Sequence, residues 1–246
     1  MKNTNNSYWI VGKHAVEAAI KNTNREKLRL CITKETQLTH KIKNLTSEIM
    51  SREKISNLIG SSINHQGIAL LVKPFRNINL IKLIENFKNK NNILIILDQI
   101  TDTKNIGAII RSAQAFSATA IICQEMNSPK ENSLISKSAA GALEYIPIIY
   151  VKNISKTLQL LKENNFWSIG LDAKAKYSLK YITRKNNFFD NNIALVLGSE
   201  GKGIRKLVKK NCDMTCKINI TNTLDSLNVS VALAIALYEI TSSEKM

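Results

Sequence analysis

The sequence lacks any long apolar segment. Its longest apolar stretches, such as ILIIL at residues 93–97, are far shorter than the roughly 20 residues that a helix needs to cross a bilayer. The first nine residues, MKNTNNSYW, are polar and contain no apolar run of the kind found in secretion signals. We therefore expect a soluble, cytoplasmic protein with no membrane partner.

Cysteine is also scarce, with four residues in 246. Cys31 and Cys123 lie inside apolar runs, where a reduced cysteine packs as a small hydrophobe, and this usage fits a reducing compartment. Cys212 and Cys216 are four residues apart, but no second Cys/His pair stands nearby to complete a tetrahedral zinc site. We expect unpaired thiols and no bound metal.

Two nucleotide-binding patterns are missing. The segment ALVLGSEGKGI at residues 194–204 places three glycines and Glu200 at the end of an apolar run, and glycines at a strand's carboxyl end let the backbone approach a ligand closely. The segment does not match the GxxxxGK[ST] phosphate loop, and the GxGxxG pattern is absent. A phosphate-binding loop or a standard Rossmann dinucleotide site is therefore not expected.

The sequence contains few acidic residues: it has 35 Lys and Arg but only 19 Asp and Glu, and its formal net charge is +16. Such an excess attracts polyanions, so nucleic acid is the first candidate partner, and a generically lysine-rich surface is the plain alternative. Residues 1–92 hold 16 Lys/Arg against 6 Asp/Glu, whereas residues 93–246 hold 19 against 13. The first segment is therefore the more basic per residue.

Apolar patterning predicts two domains. Residues 1–74 are typical of a small α/β unit, with a helix near residues 12–21 and strands at residues 27–32 and 67–72. The polar, Asn/Lys-rich stretch at 75–92 predicts a linker, although the helical spacing of INLIKLIENF leaves a surface helix open within it. The remainder, 93–246, alternates apolar strand runs with helical patterns, which predicts a parallel sheet with helices on its faces.

Three segments of the second domain carry polar residues at the ends of predicted strands. In LDQITDTKNIGAIIRSAQAF, residues 97–116, we expect a helix capped by Asn105 that holds Arg111 almost two turns in. The segment ALVLGSEGKGI follows. In KINITNTLDSLNVSVALAIALYEI, a short strand at 217–220 leads through a polar loop ending in Ser226 and Asn228 to an amphipathic helix. Taken singly, a solvated arginine and plain helix capping would explain these residues. The helix positions expected to face the core are Val229, Ala232, Leu233, Ala236, Leu237 and Ile240.

Together, in this order, the three segments resemble the motifs of the SpoU family of RNA methyltransferases over essentially all of residues 93–240. The matching residues are Asn105, Gly107 and Arg111 in NxGxxxR spacing, then Gly198, Glu200 and Gly201, then Ser226, Leu227 and Asn228. The sequence departs from the family pattern at Thr103, where a proline is common, and at Asn219 and Asn222, where proline and glycine are usual.

The N-terminal segment resembles the small ribosomal-protein-like α/β RNA-binding domain of one branch of that family. The resemblance rests on GKHAVEAAI and on HQGIAL at residues 65–70. That branch contains a guanosine 2′-O-methyltransferase of large-subunit (23S) ribosomal RNA. The resemblance therefore implies methyl transfer to a ribose 2′-hydroxyl of RNA, with RNA and not DNA as the partner.

The resemblance also implies a fold and a cofactor. The family's C-terminal domain is an α/β sheet, mostly parallel, whose last helix threads through a loop to form a trefoil knot. Its loops hold S-adenosylmethionine largely through backbone groups, which corresponds here to Gly198, Ile218 and Leu227. The family site lies at a subunit interface, so a homodimer is implied.

For the chemistry, the family places Arg111 beside the reacting hydroxyl. Because a guanidinium is effectively always protonated, we expect Arg111 to stabilise the developing alkoxide or to grip a phosphate rather than to act as the base. Glu200 is expected to orient Arg111 or to accept a hydrogen bond from the substrate. The resemblance implies that Asn105, Ser226 and Asn228 hold the loop and the ribose by hydrogen bonds.

Two alternatives stay open on the sequence. One is a catalytically inactive RNA-binding or ribosome-assembly protein on the same scaffold, against which the joint presence of Asn105, Arg111, Glu200 and the SLN run argues. The other is a 2′-O-methyltransferase acting on transfer RNA, or one of the antibiotic-resistance type, which shares the chemistry but not the substrate.

Overall fold

The computed structural model describes residues 7–36, 38, 45–61, 63–87, 91–184, 192–221 and 223–242. The strands are β1 (Tyr8–Val11), β2 (Lys27–Ile32), β3 (Ser47–Ile49), β4 (Ile68–Val72), β5 (Ile93–Asp98), β6 (Ala120–Gln124), β7 (Ile148–Val151), β8 (Phe166–Leu171), β9 (Tyr177–Ser178), β10 (Asn192–Gly198) and β11 (Met214–Lys217). The helices are α1 (Lys13–Lys21), α2 (Arg52–Ile59), α3 (Leu80–Glu85), α4 (Thr103–Ala115), α5 (Ser133–Ala139), α6 (Ile154–Glu163), α7 (Leu179–Thr183), α8 (Lys206–Asn211) and α9 (Val229–Ser242).

The chain forms two compact units. The N-terminal unit comprises Met1–Arg76 together with Pro129–Tyr145, and the C-terminal unit comprises Asn77–Ser128 and Ile146–Met246. The chain therefore leaves the C-terminal unit after β6, contributes α5 to the N-terminal unit, and returns at β7. No apolar pattern in the sequence marked this excursion, because α5 reads like any other helix of an α/β domain.

The N-terminal unit is built on a four-stranded sheet in the order β1-β4-β2-β3. Strand β4 is antiparallel to β1 and β2, and β2 is parallel to β3. One face buries Val16 and Ala19 of α1, and the other buries Ile55 of α2. The predicted helix and both predicted strands of this segment are confirmed, within one residue at their ends.

The strings GKHAVEAAI and HQGIAL contact one another in this unit. The backbone N–H of Lys13, at the start of α1, donates to the side-chain oxygen of Gln66 (3.3 Å). The N–H of Gly67 donates to Nδ1 of His65 (3.1 Å), whose Nε2 lies 3.1 Å from the Ser56 hydroxyl. Burial lowers the pKa of His65, so its ring is neutral and serves the turn before β4.

The segment 129–145 packs closely on α1. A Cβ added to Gly141 would lie 2.8 Å from the Cβ of Ala18 and 3.1 Å from the carbonyl oxygen of His14, and Gly141 also has a φ of +95°. Glycine is required on both grounds. The segment also supplies two buried carboxylates to a buried arginine, Arg25, with N–O distances of 2.9 Å to Glu131 and 2.8 Å to Glu144.

The C-terminal unit is built on a seven-stranded sheet in the order β7-β6-β5-β10-β8-β11-β9, in which every neighbouring pair is parallel. The predicted parallel sheet is therefore confirmed. Strand β5, ILIILD, is buried at every position, as expected of a parallel strand covered on both faces.

Helices cover both faces of this sheet. One face packs alternate strand residues such as Leu94 and Val196 against α3, α6 and α8. On the other face α4 packs against α9 and α9 against α7. Five of the six residues predicted to face the core from α9 are buried, and Ala232 is half-buried. The helix left open for INLIKLIENF is present as α3, with Leu80 in this core.

Two predicted boundaries were wrong. Helix α4 begins at Thr103, because Asp102 caps it by accepting from the N–H of Lys104 (2.7 Å), and Asn105 lies inside the first turn. Thr103 is thus the first helical residue, the position where proline is tolerated best. The strand of the third motif is Met214–Lys217 rather than 217–220, because its register is set by pairing with β8. Among the described residues, no helix is long and apolar enough to span a membrane.

Candidate active site

The three sequence motifs meet at one edge of the C-terminal sheet. In a parallel sheet all carboxyl ends lie at the same edge, where ligands of α/β proteins bind. Strand β5 ends there at Asp98, directly opposite Gly198 at the end of β10. The loops that leave this edge, 199–205 and 218–228, frame the candidate site.

Three of the predicted catalytic residues form one hydrogen-bonded cluster. The side-chain amide of Asn105 donates to Oε1 of Glu200 (2.9 Å), and the amide of Asn228 donates to the same oxygen (2.7 Å) and to Oδ1 of Asn105 (3.0 Å). Their separations in sequence are 95, 28 and 123 residues, so the fold alone brings them together. The cluster ties the first turn of α4 to both loops of the site.

Asn228 also caps α9. Its side-chain oxygen accepts from the backbone N–H groups of Ser230 (3.0 Å) and Val231 (3.4 Å), while its amide nitrogen faces Glu200. The capping explanation for this residue therefore holds, and its contact with Glu200 leaves a role in the site as a prediction. Because the amide uses opposite ends for the two tasks, the cap fixes the orientation in which Asn228 presents its N–H groups to the carboxylate.

Gly198 is required by backbone crowding. The loop folds back so that the N–H of Gly203 donates to the carbonyl of Ser199 (2.8 Å). A Cβ on Gly198 would lie 2.0 Å from the carbonyl carbon of Gly203 and 2.2 Å from the nitrogen of Ile204. These are backbone atoms, which cannot turn away as a side chain can.

We expect Gly198→Ala to destabilise the protein by about 2–3 kcal/mol, because overpacking against fixed backbone forces the loop apart. Urea unfolding of the full chain measures this. Gly203→Ala is the control, since its added Cβ would meet no atom within 4 Å and costs only the strain of positive φ, about 1 kcal/mol. Equal losses for the two variants would show that crowding at residue 198 is not the cause.

A second polar cluster beneath this loop was missed on the sequence. The buried carboxylate of Asp98 accepts from Nε of Arg205 (2.7 Å) and from its backbone N–H (2.9 Å), and Nη2 of Arg205 donates to the side-chain oxygen of Gln124 (2.9 Å). The arginine thus joins the ends of β5 and β6 to the start of α8. A fully buried aspartate closing an apolar strand was the available signal, because such a charge needs a partner.

The remaining predicted residues do not join the cluster. Arg111 and Ser226 are exposed, and Arg111 makes no hydrogen bond or ion pair with the residues that the structure describes. Ile218 and Leu227 are half-buried, one at each end of the loop 218–228. Asn222, where the family has glycine, lies outside the described residues.

The cysteines have the character of packed hydrophobes. Burial raises the pKa of Cys212 and of Cys216 to about 12, so both thiols stay protonated near neutral pH and neither has the character of an activated nucleophile. All four are free thiols. Within the described ranges, no group of three or more His, Cys, Asp or Glu side chains is arranged to hold a metal.

Comparison with known families agrees with the two-unit description. Residues 92–238 match the SpoU rRNA methylase family, and residues 9–78 match the substrate-binding domain of RNA 2′-O-ribose methyltransferases. The first match spans more than half of the chain and contains the whole Asn105, Glu200 and Asn228 cluster.

Similar proteins of known sequence and structure cover most of the chain. A putative TrmH family tRNA/rRNA methyltransferase of Staphylococcus epidermidis is 33% identical over 94% of each chain, and an uncharacterized tRNA/rRNA methyltransferase of Borreliella burgdorferi is 38% identical over 72% of this chain and 79% of its own. The fold matches the crystal structure of the SpoU methyltransferase AviRb from Streptomyces viridochromogenes in complex with AdoMet, with a TM-score of 0.81 at 18% identity, covering 97% of this chain and 91% of that one.

The sequence match over the catalytic unit, the second match over the basic N-terminal unit and the shared fold point to one assignment. This chain belongs to the SpoU rRNA methylase family and is an S-adenosylmethionine-dependent RNA 2′-O-ribose methyltransferase.

Proposed function

We propose that this enzyme methylates the ribose 2′-hydroxyl of a guanosine in large-subunit (23S) ribosomal RNA. The observation that best supports a methyl-transfer site is the hydrogen-bonded cluster of Asn105, Glu200 and Asn228. The cluster lies at the carboxyl edge of the sheet, next to the loops 199–205 and 218–228. The choice of ribosomal RNA is supported by the basic first segment, residues 1–92, and by its resemblance to a ribosomal-protein-like domain.

The loop 218–228 fits S-adenosylmethionine through its backbone. Among its described residues, the single internal backbone hydrogen bond runs from the N–H of Leu224 to the carbonyl of Thr221 (3.4 Å), so other backbone groups remain available to a ligand. Half-buried Ile218 and Leu227 offer apolar surface for an adenine ring, and Gly198 holds the facing loop close. When bound, S-adenosylmethionine supplies an electrophilic methyl group on a positively charged sulfur.

This placement predicts that Leu227→Trp weakens cofactor binding at least about tenfold, because an indole would occupy apolar space that the adenine needs. Calorimetry on the full chain measures it. Leu224→Trp, at an exposed position in the same loop, is the matched control. If Leu227→Trp bound the cofactor as tightly as the wild type, the pocket would lie elsewhere.

In the proposed mechanism the protein aligns the ribose oxygen with the methyl group and stabilises negative charge on that oxygen as its proton passes to solvent water. Arg111 holds the developing alkoxide or an adjacent phosphate as a permanently charged donor. Glu200, with Oε1 engaged by both asparagines, presents its second oxygen to the substrate. Ser226, exposed beside the cluster, donates a hydroxyl hydrogen bond to the ribose.

We propose that the active form is a homodimer with a composite site. On α4, Arg111 follows Asn105 by six positions, which corresponds to about 9 Å along the axis and about 240° around it. Arg111 therefore points away from the cluster of its own chain. Helix α9, packed against α4, exposes Val231, Ile235 and Tyr238 as an apolar stripe, which a second copy would cover.

Mixing two inactive variants tests the composite site. If Arg111 serves the partner's site, each heterodimer of Arg111→Ala with Glu200→Ala contains one intact site and one site that lacks both residues. When the two variants pair at random in a refolded equimolar mixture, the mixture should regain about a quarter of wild-type activity. Each variant alone is the control. If the mixture regains nothing while mass measurement shows heterodimers, both residues act within one chain.

We also propose a trefoil knot in the C-terminal unit, as the family resemblance implies. The strand order is compatible with a knot, since β10 lies between β5 and β8 although both precede it in the chain.

The substrate is tested by mapping 2′-O-methyl groups in RNA from cells with and without the gene, followed by complementation with wild type and Arg111→Ala. We expect one guanosine of 23S ribosomal RNA to lose its methyl group and to regain it only with the wild type. Loss of a methyl group from transfer RNA, with ribosomal RNA unchanged, would contradict the ribosomal assignment.

A further inference from the structure

A pair of stacked tyrosines lies on the surface of the C-terminal unit. The rings of Tyr177 in β9 and Tyr181 in α7 have centroids 5.2 Å apart and planes 13° apart. Packing in the core would explain such a pair, but these residues are 41% and 51% exposed. The core beneath them is formed by other side chains of the same segment, among them the buried Leu179 and Ile182.

The tyrosines lie among cations. The segment 173–184, AKAKYSLKYITR, contains four basic residues and no acidic one, and all four are exposed: Lys174, Lys176, Lys180 and Arg184. The Nζ of Lys176 lies 5.4 Å from the ring centroid of Tyr177. Asp172, which precedes the segment, is already paired with Lys209. We call the two tyrosines and four cations the tyrosine–lysine platform.

The platform stands beside the candidate active site. Strand β9 is the edge strand of the sheet and pairs with β11, so that Ser178 lies opposite Lys217. Lys217 is the last residue before Ile218 and the loop proposed to hold the cofactor. An RNA strand that reached the candidate active site along this edge of the sheet would pass over the two tyrosines.

We propose that the tyrosine–lysine platform binds unpaired nucleotides of the RNA next to the methylated one, with bases stacking on the tyrosine rings and phosphates contacting the lysines. The proposal rests on RNA being the substrate. Aromatic rings with interspersed cations suit single strands, because any base offers a π-face and the phosphates supply the negative charge. A duplex does not fit, since its bases are already stacked within the helix. The platform thus adds affinity without reading sequence.

The first test compares the binding of a labelled oligouridylate and of an RNA duplex to full-length variants. Tyr177→Leu/Tyr181→Leu should weaken oligouridylate binding about tenfold or more, the effect typical of losing a base-stacking ring. Tyr177→Phe/Tyr181→Phe should bind as the wild type does, because it keeps the rings. Duplex binding should be similar for all.

The salt dependence of RNA affinity distinguishes the contribution of the lysines from that of the tyrosine rings. Lys176→Gln/Lys180→Gln should flatten the fall of log affinity with log salt by roughly 0.7 for each single-strand phosphate that the protein no longer neutralises. The tyrosine variants should keep the wild-type slope, because stacking releases no counterions. The matched control is Lys152→Gln/Lys156→Gln, two exposed lysines outside the platform, which should leave the slope unchanged.

Photocrosslinking supplies a readout that needs no variant. Irradiation of wild-type protein with RNA containing 4-thiouridine should crosslink Tyr177 or Tyr181, as mapped by mass spectrometry. Folding of each variant is checked by its melting temperature and by calorimetric binding of S-adenosylmethionine, both expected at wild-type values.

The proposal is overturned if the folded Leu variant binds oligouridylate normally, if the Phe variant loses binding equally, or if no crosslink reaches either tyrosine. Loss of the dimer with RNA binding intact would assign the surface to a second copy and would overturn it too. Because these assays measure RNA binding directly, their failure leaves the 23S assignment standing. Equally, a transfer RNA substrate found by methyl mapping would leave the platform standing.

Discussion

Arg111→Ala should lower methyl transfer by on the order of 10²–10³-fold, the usual cost of removing one donor that stabilises a developing oxyanion. Because Arg111 is exposed and makes no hydrogen bond or ion pair with the described residues, its loss should leave the melting temperature unchanged. Cofactor affinity should also be unchanged, since Ile218 and Leu227 are assigned to the cofactor. Single-turnover transfer of labelled methyl groups to unmodified ribosomal RNA measures the rate.

Two further variants test whether the loss of activity is specific to the guanidinium of Arg111. Lys104→Ala removes an exposed cation from the same helix, α4, and should keep wild-type activity. Arg111→Lys should remain strongly impaired, because an ammonium lacks the planar fork that engages two oxygens at once. Near-normal turnover by Arg111→Ala would remove this residue from the mechanism, and recovery of full rate by Arg111→Lys would reduce its role to charge alone.

The motif resemblance grouped three residues that the fold also brings together, whereas a predicted helix start and a predicted strand position were wrong. Asn105, Glu200 and Asn228 were chosen together from the motif resemblance, and their hydrogen bonds form a single cluster. The start of α4 was placed wrongly because Asp102 and Asn105 are both good caps three residues apart, and local preference does not choose between them. In the fold Asn105 donates to Glu200, 95 residues away, and Asp102 caps the helix.

The same reason explains what was missed. Arg205 meets Asp98 across 107 residues, and Arg25 meets Glu131 and Glu144 across 106 and 119. Each pair consists of residues that are ordinary surface types when considered alone. Asp98 at the end of an apolar strand signalled a charge in need of a partner, but only the three-dimensional fold shows that Arg205 is that partner and that Arg25 is buried.

The placement of residues 129–145 changes how the RNA-binding domain can be studied. A deletion of residues 1–74 would remove Arg25 and α1 but leave Glu131, Glu144 and the apolar side of α5 in the remaining chain. The fragment would expose surface that the intact N-terminal unit buries. Lysine substitutions in the full chain are therefore the sounder way to ask how much the first unit contributes to RNA affinity.

Arg25→Met should destabilise the protein by about 3–5 kcal/mol, the cost of breaking a buried ion pair by removing one partner. The Arg25 side chain is 0% exposed, and it bridges Glu131 and Glu144 at 2.9 and 2.8 Å. Its guanidinium carbon also lies 3.4 Å from the Phe75 ring centroid, and Tyr8 donates to Glu131 (3.0 Å). Burial opposes the charge of Arg25, but the hydrogen bond to Glu144 and the negative charges of Glu144 and Glu131 together outweigh burial, and the pKa of Arg25 is raised. Urea unfolding at neutral pH measures the loss.

The pH dependence of stability distinguishes loss of the ion pairs in Arg25→Met from simple loss of packing. Without Arg25, two carboxylates are left buried without their cation, and folding must desolvate them charged or protonate them. Their protons are then bound more tightly in the folded state, so the variant should regain part of its stability as pH falls from 7 to 5, while the wild type gains nothing comparable. Arg29→Met breaks the partly exposed pair with Glu48 and should cost at most about 1 kcal/mol. A loss for Arg25→Met that stayed constant across this pH range would show that packing against Phe75, and not the ion pairs, holds the segment 129–145 in the N-terminal unit.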